Sequence, residues 1–210
     1  MKAIPRLLAL SILGCGLVTA PAAVAGGGPL GIDHRVTYDD SGIWARNVQL
    51  KLEYGLLLAE AGIAAWEGGE SRLGRTAWQS IDATLVDAVA VELLKKGFSR
   101  ERPNKTPDPG RWFSGGSNAS FPSGEASLSA TVVTPFILEY GRDHPAAYAL
   151  ALIPAYDAIA RVKTWGHWQS DVIAGAALGA ALGYWAHERE SPFVLSVMPH
   201  GVQLGLSKRW

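Results

Sequence analysis

Cysteine is nearly absent from this chain: Cys15 stands alone among 210 residues. That excludes a disulfide framework and any cysteine-based metal site. Net charge is absent too, with 19 Lys and Arg against 19 Asp and Glu, so no basic field is available for nucleic acid. Long apolar runs are also missing. Val172 to Trp185 is the longest and falls short of the roughly 20 residues that span a bilayer, and Ala146 to Ala160 carries Asp157. The five histidines come with no second carboxylate cluster, which argues against a metal centre. His34, His144, His187 and His200 read as surface residues. What is present is enough apolar composition, 48%, for one domain with a sizeable core. Eight Trp are scattered along it as core and cleft residues rather than gathered in a cofactor box.

Residues 1–25 read as an export signal: Lys2 and Arg6, an apolar stretch from Leu7 to Val18, then Ala23-Val-Ala25 as a small-residue cleavage site. Cleavage there leaves 17 basic and 19 acidic residues. A lipoprotein signal with Cys15 as the attachment point is the rival. Both put the protein outside the cytoplasm, periplasmic or otherwise exported, and the second attaches it to a membrane. Residues 26–42 are Gly-rich and then charged, a linker or arm.

The body, residues 43–190, predicts about five helices in an all-α bundle. Ile43 to Trp66 has helical apolar spacing interrupted by Lys51 and Glu53, and Gly68-Gly69 stops it. Thr76 to Phe98 follows, with Trp78, Ile81, Leu85, Ala88, Val89 and Leu93 marking one face. Residues 99–121 form a loop too polar for a core, and a loop of that length is functional or disordered. Three more helices run from Pro122 to Tyr140, Pro145 to Val162 and His167 to Glu188. Residues 191–210 read as a β-hairpin around Pro199-His200-Gly201. One hairpin cannot close a barrel, so it is a packed flap or a weak membrane or partner contact.

The chemistry concentrates in Arg161-Val-Lys-Thr-Trp-Gly-His167-Trp-Gln-Ser-Asp171. His167 and Asp171 are four apart, so a helix starting near Gly166 would put them on one face. The carboxylate then accepts from Nδ1–H and leaves the other nitrogen as nucleophile or base. Arg161 suits an oxyanion. Upstream lie Lys95, then Arg102-Pro103, and then Phe121-Pro-Ser123-Gly124-Glu125, which opens a helix whose first N–H groups face outward.

Taken in order, K-x6-R-P, P-S-G and R-x5-H-x3-D resembles the three-part signature of the type 2 phosphatidic acid phosphatase family. That family shares its site with bacterial acid phosphatases and vanadium haloperoxidases. The resemblance spans roughly residues 75 to 190. It implies that Lys95, Arg102, Ser123, Gly124 and Arg161 hold phosphate, that His167 attacks phosphorus to give a phosphohistidine, and that Asp171 orients it. Asn118 and Ser120 would shape the approach loop. No cofactor is implied, although vanadate would fit the phosphate cradle. The implied substrate is a phosphomonoester or pyrophosphate, a small molecule or a lipid phosphate.

Two positions depart from the pattern. Ala160 replaces a Ser and removes one hydroxyl near the phosphate. Glu125 replaces the His that protonates the leaving oxygen. It stands either as the catalytic acid, raised by burial and bound phosphate, or as an acid at a helix start with no chemistry at all. Two alternatives to a phosphatase stay open: a relative that binds phosphate groups without turnover, and a vanadate-dependent haloperoxidase.

Overall fold

The computed structural model describes residues 27–116 and 119–189, together with the backbone of 194–198 and 201–204. The expected signal segment, Cys15, Asn118 and His200 lie outside the described residues.

Five α-helices make the body: α1 (Arg46–Glu67), α2 (Arg72–Phe98), α3 (Gly124–Tyr140), α4 (Leu152–Lys163) and α5 (Gln169–His187). Local chemistry sets their ends. Ser71 caps α2 by accepting from the Gly74 amide at 2.9 Å, and Ser99 closes the same helix in the left-handed region at φ 33°. Ser123 caps α3. The segment expected as one helix from Pro145 to Val162 divides into a 3-10 stretch, Pro145–Ala151, followed by α4. Beyond α5, Val194–Met198 (β1) and Gly201–Leu204 (β2) pair antiparallel.

Helix α3 packs most intimately on α5, and small residues make this possible. A Cβ added at Gly175 would lie 2.3 Å from the Ser123 carbonyl oxygen, and one at Gly179 would lie 2.0 Å from that of Ser127. The two backbones therefore touch directly.

The apolar stripe on α2 is not a core face. Leu85, Val89 and Leu93 are 54%, 61% and 65% exposed, and Ala88 is exposed with them. The buried face is instead Ala77, Ser80, Ala83, Asp87 and Val91. Periodicity alone cannot choose between two faces one half-turn apart. Here the close helix packing selects small side chains and hydroxyls for the inside. Buried acids pair with those hydroxyls: Ser80 donates to Glu60 at 2.6 Å and Ser127 to Asp87 at 2.5 Å.

Two segments without regular structure are tightly held. In the long loop, Glu101 donates to the Arg111 carbonyl at 2.9 Å, Ser114 to that of Ser99 at 3.1 Å and Ser120 to that of Arg100 at 2.7 Å. Phe98, Trp112 and Phe121 form an aromatic wall beneath it. Residues 27–45 lie as an arm across the N-terminal end of α5, where Asp33 accepts from the Ser170 amide at 2.7 Å.

Candidate active site

His167 precedes α5 rather than belonging to it; the helix starts at Gln169. The Arg161 carbonyl accepts the amides of Gly166 at 2.9 Å and His167 at 3.2 Å, and this tight turn aims the imidazole inward. Only 2% of His167 is exposed. Its Nδ1 lies 2.6 Å from the Ser120 carbonyl oxygen. A carbonyl only accepts, so Nδ1 carries the proton. Its Nε2 lies 3.1 Å from Arg102 Nη1. A guanidinium only donates, so Nε2 holds the lone pair. Burial holds the ring well below the ordinary imidazole value, reinforced by the charges of Arg102, Arg161 and Lys95. The imidazole is therefore neutral, with a fixed tautomer.

The expected His167–Asp171 hydrogen bond is replaced. Asp171 Oδ2 stands 3.9 Å from Nδ1, a charge contact rather than a bond. Because His167 is off the helix, the nearer acceptor is the Ser120 carbonyl. Asp171 is instead the hub of a buried network. It accepts from Arg100 at 2.6 Å, from the Ser120 hydroxyl at 2.5 Å and from the Trp168 amide at 2.9 Å. Burial pushes its carboxyl above the ordinary value, and Arg100 and Ser120 pull it back. Arg100 is fully buried. It also donates to Asp33 at 2.6 Å, and its guanidinium sits 4.3 Å from the Trp112 ring centre.

Three cations converge on the imidazole. The Arg102 guanidinium donates to the carbonyls of Gly166 at 2.8 Å and Ala119 at 3.2 Å. Arg161 donates to Gln49 at 3.1 Å. Lys95 lies so near the start of α3 that a Cβ at Gly124 would be 3.4 Å from Nζ and 3.3 Å from Val91. Burial lowers Lys95, Arg102 and Arg161, and Arg102 further lowers Lys95 as Arg161 lowers Arg102. A doubly charged anion would relieve that repulsion.

At the start of α3 the structure modifies the expected anion contacts. The Ser123 amide donates to the Asp171 carbonyl at 3.0 Å, so it is engaged by the protein. The Ser123 hydroxyl accepts from the Ala126 amide at 3.4 Å. Gly124 and Glu125 occupy the first helical positions, whose N–H groups have no acceptor within a helix. Ala160 is fully buried beside this assembly.

Glu125 points into the cluster, and both its oxygens meet guanidinia: Oε1 meets Arg46 and Oε2 meets Arg161. Arg46, Gln49 and Glu53 were not singled out from the sequence as site residues. Their i, i+3, i+7 spacing puts them on one face of α1, and that polar stripe was the available signal. Asp33, Arg100 and the carbonyl of Ser120 had no such local sign.

A neutral buried imidazole, fixed cations and a helix start together make a site for a tetrahedral oxyanion. A family model described as the PAP2 superfamily matches residues 76–191, more than half of the chain, and the chain belongs to that superfamily. It is also 36% identical over 98 residues to a lipid A 1-phosphatase of Porphyromonas gingivalis, across 43% of this chain and 19% of that protein. The chain thus spans about a fifth of that relative's length. The crystal structure of Aquifex aeolicus LpxE is similar with a TM-score of 0.45 and 21% identity, covering 70% of this chain and 80% of that one.

Proposed function

We propose that the protein is an exported phosphatase acting on lipid-linked phosphates or pyrophosphates, with His167 as nucleophile. The observation that carries this reading is the fixed tautomer of His167, whose Nε2 lone pair lies beside Arg102. In-line attack by Nε2 would form a phosphohistidine. Lys95, Arg102 and Arg161 would take the equatorial oxygens, with the amides at the start of α3. Asp171 would stabilise the ring's positive charge across 3.9 Å. Water would then release phosphate.

Support for a lipid comes from the walls of the site. A cavity of about 320 Å³ begins at Lys95 and Gly124 and extends between α1 and α2 past Leu57, Ala88, Val91 and Leu128. The exposed stripe of Leu85, Val89 and Leu93 borders the same stretch of α2. No helix among the described residues is long and apolar enough to cross a membrane. We therefore read the apolar face as a peripheral contact with a bilayer.

One observation favours a second reading, a phosphate binder without turnover: Glu125 already occupies Arg161. Phosphate release from p-nitrophenyl phosphate and from a lipid pyrophosphate, without added metal, separates the two. Wild type should turn over and H167A should not. Wild type that binds vanadate without releasing phosphate would select the binder.

A further inference from the structure

The reaction as described needs a proton for its leaving oxygen, and Glu125 has both oxygens in ion pairs. Glu53 stands on the inner face of α1, one turn beyond Gln49, which accepts from Arg161. It lines the cavity that begins at Lys95 and Gly124, whose remaining wall mixes Leu57, Ala88, Val91 and Leu128 with Thr84, Asp87 and Glu92. A phosphate held by Lys95 and the start of α3 would have this cavity on one side.

We propose that Glu53 is the group that protonates the leaving oxygen, and that the α1–α2 cavity holds the body of the substrate. This rests on the phosphohistidine reading above. The charges facing Glu53 are Arg46 on its own helix, Lys95, Asp87 and Glu92 on α2, Glu125 on α3, and Arg161 and Asp157 on α4. Burial and then Glu125 raise its carboxyl above the ordinary glutamate value, against Arg46, Arg161 and Lys95. The proton is thereby retained closer to neutral pH, where a general acid is useful.

The steps balance. The Nε2 lone pair forms the N–P bond while the P–O bond to the leaving group breaks. The electron pair departs on that oxygen, which takes the proton of Glu53. In the second half, the Glu53 carboxylate removes a proton from the water that attacks phosphorus. The P–N bond breaks, its electron pair returns to Nε2, phosphate leaves and Glu53 is protonated again.

The test compares wild type, E53Q and E53D on p-nitrophenyl phosphate, whose leaving group needs no proton, and on an alkyl phosphate, whose leaving group does. Every comparison is of kcat/KM, which reports the steps up to departure of the leaving group and not the shared hydrolysis of the phosphohistidine. On the alkyl phosphate E53Q should lose about 10²- to 10⁴-fold, against less than about tenfold on p-nitrophenyl phosphate. It should also lose the alkaline limb of the pH profile. E53D should show the same split, more weakly, and serves if E53Q does not fold; thermal melting with vanadate checks both. Equal losses on the two substrates, or none, with wild type active through His167, would overturn Glu53 alone. Wild type releasing no phosphate from either substrate would overturn the phosphohistidine reading, and Glu53 with it.

Discussion

Around His167 the polar atoms have fixed, buried partners, whereas around Glu125 the charges pair across a partly open mouth. On the first side, Asp33, Arg100, Asp171 and Ser120 are almost wholly buried. Arm, loop and α5 all contribute, so no single element can shift the imidazole. On the second side, Arg46 is 39% exposed at its side chain, and Glu53 and Glu125 are half-buried. His167 is held to one geometry, while Arg46, Glu53 and Glu125 keep room to rearrange. On the proposed mechanism, a constant half, phosphoryl capture, and a variable half, the departing molecule, would be served by that division.

The largest effect should come from the fixed side. H167A should lower phosphate release by on the order of 10⁴-fold or more while leaving the fold intact, as read by steady-state rates and circular dichroism. R100A breaks a fully buried charge network and should cost about 3–5 kcal/mol in denaturant unfolding. R46A, at the open mouth, should cost less than about 1 kcal/mol. Equal costs would erase the contrast between the two sides.

Two buried groups, Asp157 and His167, carry opposite pH signs. Asp157, buried in α4, is pushed by burial up to about 7 from 3.8. Below pH 3.8 both folded and unfolded forms bind its proton. Between the two values only the folded form does. Stability is therefore full at low pH and falls as pH rises through about 7, by on the order of 3 kcal/mol. D157N should remove that loss, seen as melting temperature against pH. His167 is lowered from 6.5, so its contribution is present above 6.5 and is lost as pH falls. E125Q should act on ligand binding rather than on stability. Removing the carboxylate that competes for Arg161 should tighten inhibition by vanadate about tenfold.

The sequence disclosed most helix positions to within a few residues and the grouping of Lys95, Arg102 and Arg161 near His167, because helix periodicity is a local signal and the motif order carried the grouping. It concealed what depends on contacts between distant residues. Asp33 and Ser170 are 137 positions apart, and Arg100 and Asp171 are 71 apart, so Arg100 reads as one more basic loop residue. His167 fell outside the helix because Trp168 takes the cap position, two residues beyond where Gly166 pointed. The orienting bond moved with it, from Asp171 to a backbone carbonyl that no sequence marks. On α1, Glu53 read as an interruption of an apolar face, yet Arg46, Gln49 and Glu53 compose the polar face turned toward the site. On α2 the larger side chains drew the eye to the outward face, because apolar bulk and burial part company where backbones touch.

That backbone contact has a mechanical consequence. Gly175 sets α5 directly against the Ser123 carbonyl, and the Ser123 amide is tied to the Asp171 carbonyl at 3.0 Å. The gap between the start of α3 and the turn carrying His167 is thus spanned by main chain alone, with no rotatable side chain between. It behaves as a gauge block: warming can set the outer aliphatic side chains hopping between rotamers without lengthening the spacing the reaction depends on.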